Sequence, residues 1–147
     1  MKVIHALCIA VAVIVVSVDA QGASGCLGLP VVVTKLDDGT SVGIVVTEAQ
    51  FAKAPAWGPG RGEPPVSIAK VADLADKWAK KHFKSFDSAR IDSINLTAFG
   101  CNDEPRHWYY RVDFVPVKNG KPSFGGHFIA VLLDGTIIGP TKVKNAF

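Results

Sequence analysis

SIAKVADLADKWAKKHF, residues 67–83, decides the fold. Ile68, Val71, Leu74, Ala75, Trp78, His82 and Phe83 recur at the three- and four-residue spacing of a helix with a single apolar stripe. Lys70, Asp73, Asp76, Lys77, Lys80, Lys81 and Lys84 fill the opposite side, and Ser67 stands where an N-cap is needed. Asp73 with Lys77 and Asp76 with Lys80 are favourable i,i+4 pairs, and the terminal lysines suit the negative end of the helix dipole. Such a helix must lie on an apolar surface.

Downstream of Asp87 the hydrophobic period drops to two, which supplies that surface. Ile94, Leu96 and Ala98 alternate with Ser93, Asn95 and Thr97; Trp108, Tyr110, Val112 and Phe114 alternate with His107, Tyr109, Arg111 and Asp113. Residues 127–133 (HFIAVLL) are apolar on both sides and read as a central strand, turned by Asp134-Gly135 into Thr136-Ile137-Ile138. Both faces of the sheet therefore need at least partial cover. Upstream, Val31-Val32-Val33-Thr34, an Asp-Gly turn at Asp38-Gly39, and residues 42–46 read as a β-hairpin. Thr47 to Gln50 fits a capping box opening a short helix over 48–53. Residues 54–65 (APAWGPGRGEPP) form a Gly/Pro linker in which Trp57 seeks an apolar neighbour. Asp-Gly-Thr-x-x-Gly occurs at Asp38 and again at Asp134, which is hairpin chemistry used twice.

The expected class is α+β: one main amphipathic helix packed on an antiparallel β-meander, with an N-terminal β-hairpin and short helix. The 147 residues, 48% apolar and 20% charged, make one globular unit and exclude a disordered or collagen-like chain. At a formal net charge of +3, with aspartates interleaved among the helix lysines, that helix reads as a solvated face and no nucleic-acid partner is expected.

Lys2 and the 13-residue apolar run 6–18, followed by Val18-Asp19-Ala20, read as a secretory signal peptide removed after Ala20; an uncleaved anchor is the competing reading. The expected divisions are 1–20 signal peptide, 21–66 hairpin, short helix and linker, and 67–147 helix-plus-sheet domain. The expected location is secreted or periplasmic, with no transmembrane segment once the signal is removed. Cys8 leaves with the signal, so Cys26 and Cys101 are the two thiols of the exported chain and are expected to form a disulfide. Ala23-Ser24-Gly25-Cys26 is also an imperfect lipoprotein box, which makes a lipid anchor at Cys26 the minor alternative.

Over residues 67–143 the order helix, strand, strand, strand, turn, short strand resembles PepSY-like domains. The resemblance is carried by ADLADKWA (72–79), WYYRVDF (108–114) and VLLDGTII (131–138). It implies that fold and a non-catalytic binding or inhibitory role. The loop 118–126 departs from the pattern, and the N-terminal hairpin lies outside it. A cystatin-like inhibitor shares the helix-on-sheet plan, but this chain has no Gln-x-Val-x-Gly segment.

With Trp108 and Tyr110 facing the helix, the opposite face is expected to gather Ser93, Asn95, Thr97, His107, Tyr109, Arg111, His127, Ile129, Val131 and Leu133. Its mixture of aromatic, Arg and aliphatic groups has the composition of a protein contact patch. The expected partner-binding residues are His107, Tyr109, Arg111 and His127, and the expected partner is a protein or peptide. The competing reading is that the N-terminal hairpin covers this face. No catalytic, metal or cofactor residue is assigned and no cofactor is expected. The alternative function is a small exported hydrolase or metal-dependent enzyme using His107, His127 and Cys101.

Overall fold

A computed structural model describes residues 30–36, 38–99 and 107–143. The expected signal peptide, Cys26 and Cys101, and with them the expected disulfide or lipid anchor, lie outside the described residues. The elements are β1 (Pro30–Lys35), β2 (Ser41–Val45), α1 (Glu48–Lys53), α2 (Ile68–His82), β3 (Ser88–Phe99), β4 (His107–Lys118), β5 (Lys121–Pro122), β6 (Phe128–Leu132), β7 (Ile137–Ile138) and β8 (Thr141–Lys142).

The chain is α+β. Strands β3-β4-β6-β7, with β5 also on β4, make a five-stranded antiparallel sheet, and β1-β2-β8 make a smaller three-stranded one. The sheets share a chain path. β7 closes the large sheet, Gly139-Pro140 turns the backbone, and β8 then pairs with Val42 and Gly43 of β2.

Local chemistry sets the element ends as the sequence expects. Ser67 Oγ accepts from the Lys70 amide, Asp73 bridges Lys77 at 2.9 Å and Asp76 bridges Lys80 at 2.6 Å. The capping box closes reciprocally, with Gln50 Oε1 accepting from the Thr47 amide and Thr47 Oγ1 from the Gln50 amide. Asp38 and Asp134 each accept the amide of the threonine two residues on, and the glycine between holds φ +81° and +87° respectively.

Helix α2 meets the sheet through Val71, Ala75 and Ala79, all buried; two of these are alanines, so the helix lies close. Leu74 and Trp78 flank this line, half-buried. Two residues of the expected stripe are not in the core. Ile68, in the first turn, is 59% exposed, and His82 is exposed, donating from Nδ1 to the Trp78 carbonyl and stacking on that ring at 4.0 Å. Trp78 itself packs on Phe114 and Phe83 and against Gly139. Trp108 takes Trp57 from the linker edge-on at 5.9 Å, and Tyr110 donates its hydroxyl to the Val66 carbonyl.

A second apolar cluster lies on the other side of the large sheet. Ile44 and Val46, with Ala54 just after α1, pack on Tyr109, Phe128, Ala130, Leu132 and Ile138. The result is three layers, with the hairpin sheet covering the face opposite α2.

Candidate functional site

The pairing of β4 with its neighbours decides which side chains share a face. Trp108, Tyr110, Val112 and Phe114 of β4 belong to the α2 side, and Tyr109 to the hairpin side. That alternation is the expected one. On β6 the parity is reversed from expectation: Ile129, Val131 and Leu133 belong to the α2 core, and Phe128, Ala130 and Leu132 meet the hairpin. Because β6 is buried on both faces, its apolar run has no alternation from which to read a register, and a one-residue slip exchanges the two sets.

The slip moves His127. It lies against Phe83 and Phe86, with ring centroids 5.6 and 5.8 Å away, at the C-terminal end of α2. Burial lowers its pKa from the ordinary value, and its Nε2 hydrogen-bonds Ser123 Oγ at 3.0 Å. Tyr109 is 3% exposed beneath the hairpin, and burial raises its phenol pKa. Arg111 remains partly accessible, but its guanidinium grips Asp113 through Nε and a 2.7 Å Nη2 contact and lies 5.3 Å from the Phe128 ring centroid. Asp113 in turn accepts from Ser93 Oγ, and Ser93 from the Asn95 amide nitrogen. His107 opens β4 opposite Phe99 and is partly buried. The four residues His107, Tyr109, Arg111 and His127 thus divide between two faces and do not form one surface.

The same geometry separates the residues of the enzymatic alternative. His127 sits beside Phe114 on β4, whose amide donates to the His127 carbonyl. His107 is seven residues away along that strand, about 23 Å at strand rise, and on the other face. Cys101 lies outside the described residues. Among the described residues no group of three or more metal-ligating side chains occurs.

What projects from this covered sheet is the segment between β4 and β6. Asn119 and Gly120 both hold positive φ, +51° and +71°, the two-residue turn that matches strand twist. The turn places Lys118 and Lys121 directly opposite one another. The Gly120 amide donates to the Asp87 carboxylate, tying the turn to the start of β3. Beyond β5 the two sides no longer match in length. The Ser123 amide donates to the Pro116 carbonyl and the Phe114 amide to the His127 carbonyl, so Val115 alone faces Phe124, Gly125 and Gly126.

The two surplus residues make a bulge in this strand. Gly125 and Gly126 hold φ +82° and +72°, a conformation unfavourable to any side chain with a Cβ, and Gly126 is pressed against Leu36 of the hairpin. The bulge leaves Phe124 72% exposed. Between Phe124 and Phe86 opens a cleft of about 500 Å³, whose other walls are Lys118, Asn119, Lys121, Pro122 and Ser123. Among the described residues neither Lys118 nor Lys121 forms an ion pair.

Sequence reasoning missed this site by reading 118–126 as a long loop between strands. Asn119-Gly120 between two lysines is a strong hairpin signal, and Phe124 before Gly125-Gly126 is an aromatic residue with no apolar partner at strand or helix spacing. Compared with known proteins, the chain matches no family model, no curated sequence and no solved structure.

Proposed function

We propose that the protein is an exported, non-enzymatic binding module of PepSY-like plan whose contact surface is the β4–β5–β6 end, with Phe124 at its centre. One observation carries this reading: an aromatic side chain 72% exposed, held out by a two-residue bulge of left-handed glycines above a cleft. Large apolar groups displayed beside a shallow cleft are what partner proteins bury, and aromatics dominate such contacts. The wide separation of His107 from His127 supports a role without catalysis. The helix-first order α2-β3-β4-β6-β7 supports the PepSY-like plan, and the apolar run 6–18 supports export.

The test is site-specific cross-linking. A photoreactive phenylalanine analogue is placed at position 124 of the full chain, and at exposed Lys142 as control, and both are irradiated in medium from the producing cells. A discrete adduct from 124 alone, competed away by unlabelled protein but not by the Phe124→Ser variant, supports the reading. Adducts from neither position, or equally from both, overturn it.

A further inference from the structure

Resting on that reading, we propose that the partner presents an acidic peptide segment, with its carboxylates between Lys118 and Lys121 and an apolar side chain between Phe86 and Phe124. The charges set this preference. Lys118 and Lys121 are directly opposed on β4 and β5, so their Cβ atoms are about 5 Å apart, a placement in which like charges repel. The turn itself fixes the register, and the lysines cannot slip past one another.

The nearby carboxylate, Asp87, is engaged by the Gly120 amide at 3.3 Å and bridges no lysine among the described residues. A bound carboxylate would relieve the lysine repulsion, and the cleft volume of about 500 Å³ is of the size that takes a side chain and its flanking groups.

A peptide fits this end better than an anionic membrane. The feature is a cleft with one exposed aromatic, and a single Phe buries less apolar area than the one acyl chain that by itself gives only marginal membrane binding.

Binding is read by fluorescence anisotropy with the full exported chain and three labelled hexapeptides: Glu-Glu-Leu-Phe-Glu-Glu, its all-Gln counterpart and its all-Lys counterpart. The acidic peptide is expected to bind about tenfold or more tightly than the all-Gln one, and to weaken as salt rises from about 50 to about 200 mM. Lys118→Glu with Lys121→Glu should abolish that preference, Lys118→Arg with Lys121→Arg should keep it, and Phe124→Ser should weaken binding about tenfold. All these side chains are exposed, so an unchanged urea midpoint shows that the variants fold.

Equal binding of the three peptides overturns the proposal. So does indifference to the double charge reversal, or binding to phosphatidylserine vesicles without binding to the acidic peptide. If the charge-reversed protein keeps its cross-link from position 124, the contact surface stands and the acidic partner falls. If wild-type protein gives no cross-link there, the reading beneath both falls.

Discussion

His127 is held by rings and a hydroxyl, and that gives it a pH signature. It packs edge-on to Phe83 and Phe86 and bonds Ser123, and burial holds its pKa below the ordinary 6.5. The folded protein therefore prefers neutral imidazole. Its contribution to stability is full above pH 6.5 and is lost as pH falls through the lowered value, because the unfolded chain takes up the proton first. The lowered carboxylates Asp38, held by the Thr40 amide, and Asp73, held by Lys77, act only at more acid pH, below 3.8. We expect His127→Gln to cost about 1–2 kcal/mol at neutral pH and to flatten the pH dependence of the urea midpoint just below 6.5. An unchanged slope in that variant would assign the dependence to other groups. Trp78 offers a contrast: it is half-buried, and Trp78→Ala is expected to cost about 2–3 kcal/mol, under the range for fully buried aromatics.

The elements differ in how much of their placement the sequence reveals. Helix α2 was legible because a solvated face, a cap and i,i+4 pairs all agree with its apolar stripe, and β4 because its two faces differ in chemistry. Strand β6 was legible as a central strand but not in register, since Phe128 to Leu132 are buried on both sides alike. For the candidate site, Tyr109 and Arg111 were placed on the correct face, but only contacts distant in sequence show that Ile44 and Val46 close over that face. Strand β2 carries the tightest constraint of that closure. A Cβ on Gly43 would lie 2.6 Å from the Val32 carbonyl oxygen and 3.1 Å from Pro30. Gly43→Ala should therefore push β1 from β2 and destabilise by about 1–3 kcal/mol, with faster amide exchange in β1 and β2 than in β3. Equal exchange in all three strands would show that the hairpin does not yield locally.

At the scale of the whole molecule, the route of the chain ties the layers together. The hairpin contributes Ile44 and Val46 to one core, α2 contributes Val71 and Ala75 to the other, and β4 and β6 supply side chains to both. The β7–β8 turn then links the sheet edges covalently. Both faces of the large sheet are covered, and the β4–β5–β6 end, where Phe124 is exposed, is the surface proposed for a partner. Urea unfolding of Tyr109→Ala and Phe124→Ala, measured side by side, tests this division most directly. Tyr109, 3% exposed beneath the hairpin, should cost about 3–5 kcal/mol, whereas Phe124, 72% exposed, should cost less than about 0.5 kcal/mol. A Tyr109→Ala protein as stable as wild type, or a Phe124→Ala protein destabilised as much as Tyr109→Ala, would contradict the account.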